Sequence, residues 1–133
     1  MAYADWPVYW AILKRDNLAC VYCGLDGKAN FASWCQLLNG VDHLVPGHTS
    51  EAASYVISYE NMPNLVTCCW SCNRAKGGFN PLEAAPVDVA ERTITTAEGW
   101  RAELIKRVQV YLERVHWSYY RPDHAQMRTE LGM

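Results

Sequence analysis

Two pairs of cysteines constrain this chain more than any other feature of its sequence. Cys20 and Cys23 form one C-x-x-C pair, Cys69 and Cys72 form a second, and residues 24–68 separate the two pairs. Two such pairs supply the four thiolates of a tetrahedral Zn²⁺ site, in which each sulfur lies about 2.3 Å from the ion. The spacing therefore predicts one structural zinc centre, with a large insertion between its two halves.

The remaining two cysteines do not fit a ligand pattern. Cys68 precedes Cys69 directly, but only Cys69 has the correct spacing to Cys72, so we assign Cys68 to the core. Cys35 has no partner at ligand spacing, which favours a small buried side chain. The alternative is a set of buried free thiols or a redox pair, and the two regular spacings favour zinc over it. Because a closed four-sulfur site is structural, the function has to lie in what the zinc holds in place.

Length and composition favour one globular domain. The chain has 133 residues, of which half are hydrophobic and a fifth are charged, a usual balance for a globular protein. No apolar run approaches the roughly 20 residues that cross a bilayer, and the N-terminal residues lack the basic start of a signal peptide. We therefore expect a single domain over 1–133, no membrane partner, and a cytoplasmic location where thiols stay reduced.

The charges are unevenly distributed along the chain. The net charge of −2 argues against a generally basic nucleic-acid-binding protein. Residues 64–80 nevertheless contain Arg74 and Lys76 and no acidic side chain, and residues 101–133 carry more basic than acidic side chains. A local positive strip is sufficient for phosphate contacts, although the net charge gives little long-range steering.

The pattern of apolar and turn-forming residues predicts an α+β fold, with short strands and helices around the metal centre. Residues 28–46 are expected to supply two short strands that meet at a hairpin turn at Asn39–Gly40. A tight turn closed by Gly24 is expected at the first cysteine pair. Helices are expected in four places: residues 5–16, residues 50–61, the segment that ends at Gly77–Gly78, and residues 95–117.

The helix at 95–117 has the strongest signal. Thr95, followed by Glu98, forms a capping box at its start. Apolar residues recur at helical spacing, so we expect one face to be buried: Trp100, Leu104, Ile105, Val108, Tyr111, Leu112 and Val115. Residues 116–128 combine aromatic side chains with two arginines, and this segment either extends along DNA, packs against another protein, or frays.

Residues 14–78 contain four motifs in a fixed order: R-D-x-x-x-C-x-x-C-G, D-H-L-x-P, E-N-x-x-N-L-V and C-x-x-C-N-R-x-K-G. Taken together, these motifs resemble the HNH endonuclease family, in particular its branch with two zinc knuckles. The resemblance implies a ββα-metal fold, in which two short strands and a helix surround one catalytic divalent cation. It also implies a nuclease core over about 14–85, followed by a helical extension over about 95–133.

The resemblance implies roles for individual residues. Asp42 corresponds to a ligand of the catalytic cation, and His43 corresponds to the general base that accepts a proton from the attacking water. Asn64 corresponds to the asparagine that braces the loop and orients the histidine. Asn73 stands where many members have a final histidine, so it is expected to be the second protein ligand of the catalytic cation.

An asparagine in place of that histidine gives the cation two oxygen ligands. Oxygen ligands suit Mg²⁺ or Mn²⁺, so we expect magnesium dependence and weak metal binding without DNA. Lys76 lies about one helical turn after Asn73, and we expect its ammonium to contact a DNA phosphate. Arg74 is expected to contact the DNA backbone. A solvated surface charge is the alternative for either cation.

The expected activity is hydrolysis of DNA phosphodiester bonds, as a nick or, through a dimer or two successive events, as a double-strand break. The alternative is a non-catalytic, zinc-stabilised module on the same fold that binds DNA or protein. His48 is either a metal or phosphate contact or a simple loop residue. The C-terminal extension is a candidate contact surface for a second copy or another protein. A lone nuclease domain of this size also resembles phage and mobile-element enzymes.

Overall fold

The computed structural model describes residues 6–37, 41–46, 64–83 and 96–133. The elements, in chain order, are helix α1 (Trp6–Arg15), helix α2 (Phe31–Leu37), strand β1 (Val41–His43), strand β2 (Leu65–Thr67), helix α3 (Trp70–Lys76), helix α4 (Ala97–Tyr111), a π-helical segment (Leu112–Trp117) and helix α5 (Ser118–Glu130). The helix predicted at 50–61 lies outside the described residues, as do His48 and Thr95. Helices together with a small antiparallel sheet agree with the predicted α+β class.

Strands β1 and β2 form a two-stranded antiparallel sheet. Val41 pairs with Thr67 and His43 pairs with Leu65, which places Asp42 opposite Val66 at the centre. All of β2 is buried, whereas β1 buries only its middle residue. Helix α3 follows β2 directly, so the elements have the strand–strand–helix order that a ββα-metal fold requires. That order is necessary for such a fold but does not by itself establish one.

The hairpin predicted within residues 28–46 is wrong. Residues 31–37 form helix α2, and β1 pairs with β2 from the far side of the insertion. Asn30 caps α2, because its side-chain Oδ1 accepts a hydrogen bond from the backbone N–H of Ser33 at 2.8 Å, the geometry of an N-cap residue. Leu37, at the other end of α2, is fully buried. The asparagine cap was the informative signal, and residues 38–40 lie outside the described residues.

Helix α3 begins at the second cysteine pair and ends at Gly77, as predicted. Its N-cap is Cys69, whose Sγ accepts a hydrogen bond from Cys72 N at 3.4 Å. Gly77 has a φ of 53°, a region that glycine adopts without the steric cost of a Cβ. The second cysteine pair therefore forms the N-terminal end of α3.

Helix α4 begins one residue later than its sequence pattern predicted. Thr96 is the N-cap, and its Oγ1 accepts a hydrogen bond from Gly99 N at 3.0 Å. The predicted buried face is confirmed, with four residues buried and two packed against the core at its edge: Trp100, Leu104, Val108 and Leu112, then Ile105 and Tyr111. The side chain of Val115 lies outside the described part of the structure.

One hydrophobic core joins the cysteine pairs to the C-terminal helix. Its members come from both C-x-x-C pairs, from β2 and from α4. Gln109 on α4 donates hydrogen bonds from its side-chain amide to the backbone carbonyls of Val21 and Tyr22, each at 3.2 Å. Helix α4 has no counterpart in the motif, yet it is hydrogen-bonded to the turn between Cys20 and Cys23. The proposed core (14–85) and extension (95–133) thus share one apolar interior.

An ion-pair cluster at Asp16 ties α1 and α4 to β2. The carboxylate of Asp16 accepts hydrogen bonds from Arg15 at 2.9 Å, from Arg101 at 2.6 Å and from the backbone N–H of Thr67 at 2.8 Å. Burial raises the pKa of Asp16, but the hydrogen bonds from Arg15 and Thr67 and the charges of both arginines outweigh burial and lower it. Asp16 is therefore an ionised, fully compensated carboxylate.

Helix α5 projects away from this core. The chain stays helical to Glu130 instead of ending near residue 117, and residues 121–133 are all exposed. Pro122 lies inside α5. A proline removes one backbone hydrogen bond to the preceding helical turn, and the π-helical segment ends just before that turn. Across the described residues, none of the helices combines the length and the apolar character needed to cross a membrane.

Candidate metal centre and the adjoining strand site

The four cysteines predicted as zinc ligands converge in one cluster. The Sγ atoms of Cys20, Cys23, Cys69 and Cys72 all lie within 4.8 Å of one another, and those of Cys23 and Cys69 are 3.7 Å apart. Four sulfurs placed about 2.3 Å from a tetrahedral zinc ion are separated by about 3.8 Å. The donor set and its dimensions are therefore compatible with a structural zinc site.

The four thiols change one another's pKa. Hydrogen bonds from its neighbours lower the pKa of Cys20. The hydrogen bond with Cys20 raises the pKa of Cys23, but those with Cys69 and Cys72 lower it to about 7. Hydrogen bonds within the cluster raise the pKa of Cys69 and of Cys72. Negative charges on thiolates this close together repel one another. A bound cation offsets this repulsion, and the thiols release their protons as the cation binds.

The other two cysteines differ in burial. Cys68 is fully buried in the core, as predicted, and its Sγ donates to Cys69 O at 3.3 Å. Cys35 is partly exposed instead of buried, because it lies on helix α2, whose buried residue is Leu37. Neither belongs to the four-sulfur cluster.

The first cysteine pair forms the predicted tight turn and lies against the sheet. Gly24 closes the turn with a φ of 80°, and its N–H donates to Cys20 O at 2.9 Å. The backbone N–H of Val21 donates to Thr67 O at 3.0 Å. This bond fixes the turn at the end of β2 and brings Tyr22 close to β1.

Asp42 is the buried residue of β1 and receives two donors on one oxygen. The hydroxyl of Tyr22 donates to Asp42 Oδ2 at 2.7 Å, and Lys76 Nζ lies 3.2 Å from the same oxygen. Lys76 Nζ also donates to the backbone carbonyl of His43 at 2.9 Å. The side chains of Lys76 and Asp42 are 2% and 11% exposed, so this ion pair is buried. One carboxylate thus joins the first cysteine pair, β1 and α3.

Tyr22 is the site residue that sequence reasoning missed. Burial raises its pKa well above the ordinary value, and the carboxylate of Asp42 raises it further. The phenol therefore keeps its proton and acts as the donor. Spacing draws attention only to the cysteines of a C-x-x-C pair. The available signal was a tyrosine between two ligands, since a buried tyrosine needs a partner for its hydroxyl.

Lys76 lies inside the fold, where we had expected a contact with a DNA phosphate. Its ammonium is engaged by Asp42 and by the carbonyl of His43. An ammonium in this position presents little charge to DNA in solution. The contact attaches the C-terminal end of α3 to β1, so the position of Lys76 corresponds to a positioning role.

Arg74 remains on the surface of α3. Its guanidinium lies 5.2 Å from the centre of the Trp70 ring, and Trp70 is 52% exposed. The two residues are four apart and form an exposed cation–π pair. The guanidinium is accessible, and its contact with a DNA backbone stays a prediction.

Asn64 braces the segment that follows β1. Its Oδ1 accepts a hydrogen bond from Val45 N at 2.9 Å, and its Nδ2 donates to Val45 O at 3.3 Å. Its backbone carbonyl accepts from Leu44 N at 2.9 Å, and the whole residue is buried. Three hydrogen bonds therefore fix the chain just after the Asp-His pair, and an orienting effect of Asn64 on His43 stays a prediction.

His43 and Asn73 lie close along the chain to two members of the Asp42 network, Asp42 and Lys76. His43 follows Asp42 along β1, so the two side chains leave opposite faces of the strand, and His43 is partly buried. Asn73 is partly exposed and lies three residues before Lys76, on the same side of α3. The contact of Lys76 with Asp42 therefore brings this side of α3 to β1.

Comparisons with protein-family models, with curated proteins and with solved structures find no match to this chain. The likeness to HNH endonucleases thus depends on the motif residues alone, and the family stays a prediction. Within the stretches of chain that the structure describes, the four cysteines are the one group of His, Cys, Asp and Glu side chains with converging ligand atoms. Among these described residues, a second cation site therefore contains fewer than three side chains of these four types.

Proposed function

We propose that this chain is a metal-dependent endonuclease of the HNH type that hydrolyses DNA phosphodiester bonds. The observation that supports this most is the buried contact of Lys76 with Asp42 and the His43 carbonyl. It brings the Asp-His pair on β1 to the helix that carries Asn73, although residues 44–72 separate these motifs in the sequence. The cysteine cluster lies at the start of the same helix and fixes its direction.

In this proposal, Asp42 and Asn73 hold a divalent cation, Mg²⁺ or Mn²⁺. Among the described residues, both donors to Asp42 contact Oδ2, which leaves Oδ1 for the cation. Asn73 offers a side-chain carbonyl oxygen, and magnesium prefers oxygen ligands. When bound, such a cation stabilises the charge that develops on the phosphate and leaving oxygens.

His43 acts as the general base. A neutral imidazole accepts a proton from water near pH 7, and the deprotonated water attacks the phosphorus atom. Asn64 fixes the backbone directly after β1 through Val45, so the strand end that carries His43 is held in place. The bond between phosphorus and the 3′ oxygen breaks as the new bond forms, and the 3′ oxygen takes a proton from solvent, so cleavage leaves a 5′ phosphate and a 3′ hydroxyl.

The charge of Lys76 explains why metal binding should be weak without DNA. Its ammonium already compensates the carboxylate that a divalent cation needs, and like charges in a buried site repel strongly. A DNA phosphate brings further negative charge and oxygen ligands to the same place. Metal and DNA are therefore expected to bind cooperatively.

Arg74 is the DNA-binding residue of this proposal. It is exposed on α3, one residue after the proposed ligand Asn73, in a segment without acidic side chains. Because the chain as a whole carries a net charge of −2, affinity has to come from local contacts, and these weaken as salt rises.

The test is a nicking assay with supercoiled plasmid and the zinc-loaded chain. We expect nicked circles with Mg²⁺ or Mn²⁺ and none without a divalent cation. His43→Ala should reduce the rate by about 10²-fold or more, the contribution of a general base. His124→Ala, at an exposed position on α5, is the matched control and should cleave at the wild-type rate. Wild-type protein that binds DNA but leaves the plasmid intact in both metals contradicts the proposal.

A non-catalytic, zinc-stabilised binding module is the second candidate, and one observation favours it. Tyr22 donates a hydrogen bond to Asp42 and Lys76 balances its charge, as in a purely structural ion pair. In that case Asp42 and His43 have only a structural role, and the exposed side of α3 binds DNA or protein. Such a module is expected to bind its partner equally well with and without Mg²⁺.

A further inference from the structure

The hydroxyl of Tyr22 lies in a position that a space-filling role does not require. Tyr22 is buried, and its hydroxyl is 2.7 Å from Asp42 Oδ2, a distance typical of a hydrogen bond to an ionised oxygen. Phenylalanine would fill almost the same volume without this contact. The hydroxyl therefore connects the turn between two zinc ligands to the one buried carboxylate of β1.

The backbone of Tyr22 is fixed from several directions. Its neighbours Cys20 and Cys23 belong to the cysteine cluster, and its carbonyl accepts a hydrogen bond from Gln109. Val21, the preceding residue, is bonded to Thr67 at the end of β2. A hydroxyl carried on such a turn has little freedom, whereas the ammonium of Lys76 sits on a flexible four-carbon chain.

The carboxylate of Asp42, by contrast, rotates easily about its last side-chain bond. A single flexible donor restricts this rotation weakly. Two donors that reach the same oxygen from different elements, Tyr22 from the turn and Lys76 from α3, determine which oxygen faces away from them. Rigid partners behind a metal ligand commonly change metal affinity by 10- to 100-fold.

We infer that Tyr22 is a positioning residue that holds Asp42 Oδ2, so that Oδ1 is presented to the divalent cation, and that it couples this site to the zinc-bound turn. The inference rests on the proposed function and adds to it a dependence of the divalent-cation site on zinc. Loss of zinc releases the turn and with it the hydroxyl of Tyr22, so the divalent-cation site depends on an intact zinc site. The cysteine cluster thus supports both the fold and the orientation of one ligand.

The test is direct binding of Mn²⁺, followed by electron paramagnetic resonance of the free ion, with the zinc-loaded full chain and a short DNA duplex. We expect Tyr22→Phe to weaken Mn²⁺ binding about ten-fold while it keeps one zinc per chain. Tyr9→Phe is the matched control, because Tyr9 is equally buried and its hydroxyl donates to Leu37 O, away from this site. It should lose a buried hydrogen bond and leave the Mn²⁺ affinity unchanged.

The outcomes separate this inference from the proposed function. Equal Mn²⁺ affinity of Tyr22→Phe and wild type overturns the inference, while wild-type binding and nicking leave the proposed function in place. A wild-type chain that neither binds Mn²⁺ nor nicks DNA overturns both.

A second variant applies if Tyr22→Phe loses its zinc. Gln109→Met removes the two hydrogen bonds to the backbone of the turn and leaves Tyr22 and Asp42 unchanged. We expect a smaller loss of Mn²⁺ affinity in the same direction. Unchanged affinity in a variant that retains zinc overturns the inference.

Discussion

The cysteine cluster and the Asp42 site share two segments of the chain, yet they are built in different ways. The cluster consists of four like groups whose sulfurs converge within 4.8 Å, with dimensions that suit one zinc ion. The Asp42 site has a single carboxylate that already contacts a tyrosine and a lysine. A thiolate centre is therefore defined by its own ligands, whereas Asp42 depends on neighbours that balance its charge and set its orientation.

The largest effect is expected from removing a cysteine ligand. Cys72→Ser should lose zinc and most of the folded state, because a structural zinc ion contributes on the order of 10 kcal/mol, comparable with the whole stability of a small domain. Zinc analysis and thermal unfolding followed by circular dichroism measure this. Cys35→Ser, outside the cluster, is the control and should keep its zinc. A Cys72→Ser variant that melts with the wild type would show that no zinc centre supports the fold.

The second largest effect is expected from breaking the ion pair of the Asp42 site, which the cysteine cluster does not contain. Lys76→Met leaves a buried carboxylate without its cation, which should cost about 3–5 kcal/mol of unfolding free energy, measured by urea denaturation. Asp42→Asn in the same chain should recover part of that loss. Arg121→Met is the matched control, since its ion pair with Glu113 is exposed and is worth less than about 1 kcal/mol. Equal losses of unfolding free energy in Lys76→Met and Arg121→Met would contradict a buried role for Lys76.

A smaller, pH-dependent effect is expected at Asp16, whose carboxylate side chain is 2% exposed. Its pKa is lower in the folded chain than in the unfolded chain, so its contribution is complete above the unfolded value of about 3.9 and is lost as the pH falls through the folded value. Asp16→Asn should cost about 2 kcal/mol at pH 7, and this cost should shrink as the pH falls below about 3.9. Urea denaturation at several pH values checks this, with exposed Asp26→Asn as the control. A cost independent of pH would contradict it.

The smallest effect on stability is expected at the exposed side of α3. Arg74→Gln removes only an exposed cation–π contact with Trp70, worth about 0.5–1 kcal/mol. Its effect should lie in DNA binding, where the loss of one phosphate contact lowers affinity and reduces the salt slope by about 1. Fluorescence anisotropy across a salt series measures this, with Lys28→Gln as the control. An unchanged salt slope would remove Arg74 from the DNA interface.

Several features that depend on residues close together in the sequence were predicted correctly. The two cysteine pairs, the first helix, the glycine that ends α3 and the buried face of α4 all follow from residue spacing within a few turns of chain. The hairpin prediction was wrong because it used only the turn signal at Asn39–Gly40, whereas residues 31–37 form helix α2 with Asn30 as its cap. The cap of α4 was displaced by one residue, since Thr95 and Thr96 offer the same chemistry.

The contacts that complete the Asp42 site were beyond such reasoning. Tyr22, Asp42 and Lys76 are widely separated in the sequence, and no periodicity indicates that their polar atoms meet. The sequence predicts a DNA-phosphate contact for Lys76, with a solvated surface charge as the alternative. Lysine is almost never fully buried unless it is paired, and the buried partner, Asp42, follows only from the packing of α3 on β1. Similarly, the support that Gln109 gives to the first cysteine pair comes from a helix outside the motif.

The measurement that tests the central claim most directly is a crystal structure of the zinc-loaded chain with a short DNA duplex and Mn²⁺, examined by anomalous diffraction. The account predicts a manganese peak in coordination contact with Asp42 Oδ1 and Asn73 and with a DNA phosphate, together with a separate zinc peak among the four cysteines. A map with zinc among the cysteines but no cation beside Asp42, while DNA is bound, would contradict it and favour the non-catalytic module.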